Sequence, residues 1–227
     1  MKTKFGFLLM AISQFYWTQN NYIIKDGSKR FDARITVQSC KGDDCGGKGI
    51  VKLIDKKTNQ LFQTFESDDL SLFLDNDQKP TVNVIQLYNE QSPLIFDDFN
   101  FDGSEDLAIR NGNQSGYGGP SYDVYVFNST KKQFVPSGEL TNLAYENLGM
   151  FQTDHKRKRI ITSAKSGCCW HITTEYAVIP KQGLQKVYEL EEDAQGGEFV
   201  TVTTRNFINN KWISKAKKYK INDYYKD

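Results

Sequence analysis

A short segment beginning at Asp98 carries oxygen-bearing side chains at regular intervals, and this pattern is suited to binding a cation. The acidic and amide side chains stand at positions 1, 3, 5 and 9 of the segment, which are Asp98, Asn100, Asp102 and Asp106. A glycine occupies position 6, where such loops turn sharply. Calcium takes about six to eight oxygen ligands, and the carbonyl of Ser104 would supply the one at position 7. The sequence therefore predicts a structural Ca²⁺ site formed by Asp98, Asn100, Asp102, Ser104 and Asp106.

The end of this segment differs from that of an EF-hand. An EF-hand has a glutamate at position 12, whereas here that position is Ile109, inside the apolar run Leu107–Ile109. We therefore expect the loop to lead into a strand, and it resembles the D-x-N-x-D-G-x-x-D loops of FG-GAP-type β-propellers. Without a bidentate glutamate, the dissociation constant should be about 10⁻⁴ to 10⁻³ M or somewhat lower. The alternative is an acidic surface turn, since Asp, Asn and Gly are turn formers.

A glycine-rich segment, Ser115–Tyr122, follows the acidic loop and is a second candidate for a functional surface. It contains three glycines, a proline and two tyrosines. A nucleotide-binding loop would lead into a helix, but this segment leads into the strand-like run Tyr122–Phe127. Tyrosine at a loop tip is a frequent anchor of protein interfaces. The segment therefore predicts partner-binding residues, with an ordinary hairpin loop that buries Tyr122 as the alternative.

The four cysteines form two close pairs, Cys40 with Cys45 and Cys168 with Cys169. An even number of cysteines in an exported chain indicates disulfides, and three connectivities are possible. Pairing by proximity gives one small loop and one bond between adjacent residues, whereas crossed pairing would join the two ends of the chain. Zinc binding is the remaining alternative, although the spacing does not match the usual zinc motifs.

The N-terminus has the charge and hydropathy of an export signal. Lys2 and Lys4 precede the apolar run Phe5–Ile12, although no A-x-A cleavage triplet follows. We predict a signal peptide over residues 1–19, a polar linker over 20–30 and a periplasmic or extracellular location; a first strand is the alternative for the N-terminus. The sequence has no run of about 18 apolar residues, so no membrane-spanning helix is predicted.

The charge balance and the histidines argue against nucleic-acid binding and catalysis. Lys and Arg number 29 and Asp and Glu number 28, so the chain as a whole has no basic excess of the kind that indicates nucleic-acid binding. His155 lies in a basic turn and is expected to be solvated. His171 and Cys169 would share one face of a strand, but a disulfide-bonded cysteine is not a nucleophile. The acidic residues single out no hydrolytic carboxylate pair, so we predict a non-catalytic protein.

Short runs with a period of two, separated by turn residues, extend through most of the 227-residue chain. They predict a single all-β domain over residues 31–222, with about a dozen short strands in antiparallel sheets that form a propeller-like or sandwich architecture. The predicted elements include two hairpins, Ile50–Ile54 with Leu61–Phe65 and Phe199–Thr204 with Trp212–Tyr219, a strand at Val82–Leu87, and a short helix at Glu139–Leu148.

The order of the motifs resembles a known family. The run from Asp98 to Phe127, followed by Gly149–Phe151 and Ser166–His171, is similar to bacterial periplasmic proteins related to the lysozyme inhibitor encoded beside a type IV secretion lysozyme effector in Xanthomonas. The resemblance covers residues 80–220. These proteins are distantly similar to the periplasmic inhibitors of i-type lysozyme.

In the i-type inhibitors, a Ser-Gly-x-x-Tyr-like loop enters the lysozyme cleft. The nearest matches here are Ser115, Tyr117 and Tyr122, although their spacing differs from that of the family loop. The resemblance thus implies a non-catalytic inhibitor whose partner is a lysozyme or another peptidoglycan hydrolase. The alternative function is a calcium-stabilised module that binds cell-wall glycan or a surface protein.

Overall fold

The computed structural model describes residues 19–88 and 91–225, and most of these residues lie in antiparallel strands. Within the described ranges, fourteen strands form three sheets of four, four and six strands. The all-β, sandwich-like architecture predicted from the sequence is confirmed. In each sheet the strands are hydrogen-bonded in the order in which they occur in the chain.

The strands and helices have the following bounds. The first sheet contains β1 (Asn20–Ile24), β2 (Phe31–Lys41), β3 (Asp44–Asp55) and β4 (Gln60–Phe73). The middle sheet contains β5 (Leu94–Asp97), β6 (Asp106–Arg110), β7 (Tyr122–Asn128) and β8 (Gln133–Pro136). The third sheet contains β9 (Gln152–Asp154), β10 (Arg159–Ser166), β11 (Trp170–Ile179), β12 (Gly183–Asp193), β13 (Phe199–Ile208) and β14 (Lys211–Lys220). Helix α1 (Gly138–Glu146) joins the middle and third sheets, and α2 (Ile221–Tyr224) follows β14.

The middle sheet contributes to two hydrophobic cores. Leu94, Leu107 and Ile109 belong to a core shared with the first sheet. Ile95 and Ala108 belong to a second core, shared with α1 and the third sheet. All five residues of β6 are buried, which explains why its three central residues, Leu107–Ile109, are all apolar and do not alternate with polar residues.

The predicted linker over residues 20–30 is wrong for its first half. Asn20–Ile24 forms β1, which pairs with β2 from Asn20↔Val37 to Ile24↔Ala33. Ile24 is buried, and Tyr22 packs on the first core, whereas Asn21 and Ile23 are exposed. The polar composition concealed a half-buried edge strand, because only alternate residues face the core. The predicted signal peptide, residues 1–19, lies outside the described residues except for its last position.

The predicted strand at Val82–Leu87 is also wrong. Asn83 has φ 59°, a left-handed conformation that interrupts a strand. Its side-chain oxygen accepts a hydrogen bond from the backbone N–H of Phe96 at 2.7 Å. The apolar side chains still have a packing role, since Val82 packs on the first core and Ile85 on the second.

Both predicted hairpins and the short helix are confirmed. β3 and β4 pair around the turn that follows Asp55, and α1 ends two residues before its predicted end. β13 and β14 are joined by Asn209 and Asn210, with φ values of 51° and 59°. Two positive φ values identify the type I′ turn that matches the twist of a two-residue hairpin. In the part of the chain that the structure describes, no helix is long and apolar enough to cross a bilayer.

Candidate functional site

The cysteines pair by proximity. Cys40–Cys45 closes the β2–β3 turn, and Cys168–Cys169 closes the β10–β11 turn. These two bonds use all four cysteines of the sequence, so crossed pairing and zinc binding by thiolates are both excluded in this structure. For the same reason Cys169 has no thiol to act as a nucleophile beside His171.

The acidic loop lies between β5 and β6, and its side chains accept hydrogen bonds from its own backbone. Asp98 accepts from the N–H groups of Asp102 and Gly103, at 3.0 and 2.8 Å. Asn100 Oδ1 also accepts from Asp102 N at 2.9 Å, and Asp102 Oδ1 accepts from Ser104 N at 2.8 Å. The oxygens of Asp98 and Asn100 therefore meet at one backbone nitrogen, and the loop is closed by side chain-to-backbone bonds.

Asp106 is fully buried at the base of the acidic loop, where it binds three backbone N–H groups. Oδ2 accepts from Phe99 and Asn100, at 2.9 and 3.3 Å, and Oδ1 accepts from Phe127 on β7 at 2.8 Å. Burial raises the pKa of Asp106 to about 7, against the lowering effect of these donors. The carboxylate thus links the loop to the middle sheet.

The donor set of the acidic loop suits a hard cation. Carboxylate and amide oxygens of Asp98, Asn100 and Asp102, with the carbonyl of Ser104, are ligand types that calcium prefers. Over residues 19–88 and 91–225, no group of three or more His, Cys, Asp and Glu side chains is placed to hold a metal ion. Asp106 faces backbone donors, so its role as a ligand, like the calcium site itself, stays a prediction.

The glycine-rich loop follows β6 and is closed mainly by backbone hydrogen bonds. Gly116–Gly118 forms a single 3₁₀ turn, in which Gly119 N donates to Gly116 O at 3.2 Å. Gly116 N donates to Asn147 O at 2.8 Å, which ties the loop to the end of α1. Ser121 adds side-chain bonds to this closure, since its hydroxyl accepts from Gln114 N at 3.0 Å and donates to Asn111 O at 2.6 Å.

Tyr117 is the exposed anchor that this loop presents. Its backbone is left-handed, with φ 58° and ψ 29°, and 63% of the residue is exposed. Its hydroxyl accepts a hydrogen bond from Gly167 N at the disulfide turn of the third sheet. Lys165 Nζ lies 4.7 Å from the ring centroid of Tyr117 and 4.7 Å from that of Tyr88. We call Tyr88, Tyr117 and Lys165 the tyrosine patch.

Two residues of the tyrosine patch, Tyr88 and Lys165, were not predicted from the sequence. Tyr88 is 59% exposed, and it borders a small cavity of about 220 Å³ together with Tyr117 and Lys165. Lys165 and Gly167 come from the third sheet, whereas Tyr117 follows the middle sheet. No local pattern marks these residues, because only the packing of the two sheets brings them together.

The other two predicted partner-binding residues, Ser115 and Tyr122, are buried, so that prediction is wrong for both. Tyr122 is fully buried, and its hydroxyl donates to Ser92 O at 2.8 Å. Burial raises the pKa of Tyr122 above its usual value. Ser115 is also buried, and a Cβ on Gly119 would lie 2.9 Å from its hydroxyl. Both side chains support the loop from inside.

His155 borders an open polar groove of about 1010 Å³ between the first sheet and the acidic loop. It is half-exposed, as expected, but it is also paired, since Nε2 lies 2.8 Å from Asp97 Oδ1. Arg30 and Glu105 contribute charges of opposite sign to the groove lining. The groove could therefore make polar contacts with a ligand.

Comparison with known proteins supports the fold. No protein-family model and no curated protein sequence matches this chain. A solved structure described as that of a Xanthomonas type IV secretion system related protein is similar, with a TM-score of 0.65 and 20% sequence identity. The alignment covers 89% of this chain and 95% of that chain. At this identity, the likeness shows a shared fold.

Proposed function

We propose that this protein is an exported, non-catalytic inhibitor of a lysozyme or another peptidoglycan hydrolase. The glycine-rich loop would enter the substrate cleft and block it, and no bond would be made or broken. The proposal depends on one observation about Tyr117. Its ring is exposed, while its backbone lies in a 3₁₀ turn and its hydroxyl is hydrogen-bonded to Gly167 N. Exposed, rigid tyrosines are common anchors of protein interfaces.

The way in which Tyr117 is held favours tight binding. A loop that is already ordered loses little conformational entropy when it binds, so more of the contact energy appears as affinity. Lys165 also adds a positive charge between the two exposed rings. Glycoside hydrolases carry a pair of carboxyl groups at the bond they cleave, and a cation beside the inserted ring would complement that charge.

Two further observations support an exported, secretion-associated role. Two disulfides suit an oxidising compartment such as the periplasm. The similar fold of the Xanthomonas type IV secretion system related protein is consistent with the family resemblance of the sequence. A protein of this kind would protect its producer, or disarm a competitor, by binding a secreted cell-wall hydrolase.

Calcium would act as a structural part of the same site. β6 begins at Asp106, directly after the acidic loop, and ends at Arg110, close before the glycine-rich loop. An ion held by Asp98, Asn100 and Asp102 would stiffen the first loop. Because β6 is only five residues long, that stiffness would support the base of the second loop.

The test is an assay of cell-wall lysis by turbidity, with lysozymes of several classes and increasing amounts of this protein. We expect inhibition of at least one class, and Tyr117→Ala should weaken it by about 2 kcal/mol or more, the usual threshold for a hot spot. Tyr225→Ala is the matched control, since Tyr225 is also exposed and lies at the C-terminal helix. If Tyr117→Ala and Tyr225→Ala inhibit equally well, Tyr117 is not the anchor.

The polar groove favours a second candidate function, a module that binds cell-wall glycan. Its volume and its mixed-charge lining suit a hydrated polar ligand. This function predicts that the protein sediments with purified peptidoglycan and inhibits no class of lysozyme. Inhibition without sedimentation would favour the inhibitor.

A further inference from the structure

β14 is a long edge strand that no element of the described residues covers along most of its length. In the third sheet it pairs only with β13, from Ile208↔Lys211 to Phe199↔Lys220. All ten of its residues are exposed. Its outer backbone edge has no paired strand among the described residues, and such an edge is a template for strand addition.

The strand carries an uncompensated positive charge. Five of its ten residues are lysines and none is acidic: Lys211, Lys215, Lys217, Lys218 and Lys220. In the described part of the chain, none of these lysines forms a salt bridge. Glu189 and Glu191 of β12 pair with Arg205 and not with these lysines. Within the described residues, Glu192 and Asp193 of β12 form no salt bridge with the lysines of β14 either.

The lysines lie on both faces of the sheet, interleaved with large apolar side chains. Successive residues of a strand point to opposite faces, so three lysines share one face and two share the other. Ile213 lies on the three-lysine face and Trp212 on the two-lysine face, and both are exposed. A folded acidic surface could contact only one face, whereas an added strand places its own side chains on both.

Charge excludes two occupants from within the protein. A second copy pairing through β14 would bring five lysines against five, and like charges directly opposite one another destabilise a sheet. Residues 1–18 contain two lysines and no acidic residue, so they do not complement the strand. The occupant must supply negative charge.

We propose that β14 is a docking edge for an extended acidic segment of a partner protein, which adds to the third sheet as a further strand. Main-chain hydrogen bonds along the edge provide the affinity, and carboxylates on both faces of the added strand select it. Lysines on an edge commonly prevent aggregation. On β14, the same charges repel a second lysine-rich strand and attract an acidic one.

The test uses the whole protein and a labelled peptide as long as β14, in which pairs of adjacent glutamates alternate with threonine–valine pairs, so that carboxylates lie on both faces of the added strand. Fluorescence anisotropy measures binding. The triple variant Lys215→Glu, Lys217→Glu and Lys218→Glu should weaken binding by about tenfold or more. The matched control changes Lys41, Lys48 and Lys52 of the first sheet to glutamate, which alters net charge equally and should change binding by less than about twofold.

Backbone pairing is tested separately from charge. The same peptide methylated on alternate backbone nitrogens keeps its carboxylates but loses strand hydrogen bonds, and we expect it to bind at least about tenfold more weakly. Equal binding of the methylated peptide would overturn strand addition. Loss of binding in both triple variants would overturn the placement at β14.

Two other outcomes would also overturn the proposal. One is binding to vesicles of anionic phospholipid that is tighter than binding to the peptide and is lost in the β14 triple variant. The other is a dimer, seen by sedimentation, that the same substitutions dissolve. Circular dichroism shows whether the triple variant folds. If it does not, peptide binding is measured with Lys217→Glu alone, which should weaken binding by about threefold.

Discussion

The acidic loop and the glycine-rich loop stand at opposite ends of β6, and they keep their shapes in different ways. The acidic loop uses its side chains, since Asp98, Asn100 and Asp106 all accept hydrogen bonds from loop backbone. The glycine-rich loop uses its backbone, with bonds such as Gly119 N to Gly116 O. Its exposed side chain, Tyr117, accepts a hydrogen bond at its hydroxyl and meets Lys165 at its ring face.

This difference shows how a loop can be both rigid and available. When side chains close a loop, their polar atoms are occupied, and a ligand must compete with the backbone for them. When the backbone closes a loop, the side chains can meet a partner. Glycines make the second solution possible, because Gly118 adopts φ 66° at little steric cost. The predictions below test whether the two loops differ in this way.

The largest expected effect separates the two tyrosines of the glycine-rich loop. Tyr122→Ala removes a fully buried ring and should lower the free energy of unfolding by about 3–5 kcal/mol. Tyr117→Ala should change it by about 0.5 kcal/mol or less, because the ring is exposed. Urea denaturation measures both. Similar unfolding midpoints for the two variants would contradict the division into an inner and an outer tyrosine.

Asp106→Ala should be the next most damaging change. It leaves three backbone N–H groups, of Phe99, Asn100 and Phe127, without their acceptor. Each unsatisfied buried donor costs about 1–3 kcal/mol, so we expect a loss of about 3 kcal/mol or more in the free energy of unfolding. Asp106→Asn keeps one acceptor oxygen and should lose less. If Asp106→Ala lowers the free energy of unfolding by less than Asp106→Asn does, the carboxylate does not link the loop to the middle sheet in this way.

Calcium should give a smaller stabilisation, confined to the acidic loop. A ligand that binds only the native state at ten times its dissociation constant stabilises it by about 1.4 kcal/mol. Thermal melting in excess calcium and in chelator measures this difference, and Asp102→Ala should abolish it. Asp77→Ala removes an exposed carboxylate elsewhere and should leave it intact. An unchanged melting temperature in the unsubstituted protein would refute the calcium site.

The smallest effect concerns the hydroxyl of Tyr117. Tyr117→Phe keeps the ring but removes the acceptor for Gly167 N–H. We expect inhibition of the target hydrolase to weaken by at most about 0.5–1.5 kcal/mol, the net value of the one hydrogen bond that positions the ring, because the ring itself is kept. The inhibition constant of Tyr225→Phe provides the comparison. A loss as large as that of Tyr117→Ala would mean that the hydroxyl, and not the ring, carries the binding.

Features that depend on neighbouring residues were predictable from the sequence. The β13–β14 hairpin follows from two strand-like runs on either side of Asn209 and Asn210, and β6 follows from a short apolar run after a polar loop. The disulfide pairing was one of three possibilities, and only the fold selects it. β1 escaped prediction because its short sequence, two asparagines followed by Tyr22, Ile23 and Ile24, does not alternate between apolar and polar residues, although its burial does.

The functional residues were predictable only in part. Tyr117 and Tyr122 are the same residue type in the same loop, and their roles are decided by which one begins a strand that faces a core. Tyr88 and Lys165 are 77 residues apart (165 − 88) and carry no local signal. Such contacts depend on how sheets pack, and a period-two pattern contains no information about that.

The burial of the middle sheet on both faces has a consequence for folding. Every sheet pairs strands that are consecutive in the chain, so its hairpins close short loops and can form early. During synthesis, the first and middle sheets emerge before the third. Until β10 and β11 arrive, the face that carries Ile95 and Ala108 has only α1 to cover it. Exposed apolar sheet surface promotes aggregation, and the nascent chain is therefore most vulnerable between the completion of β8 and the docking of β10.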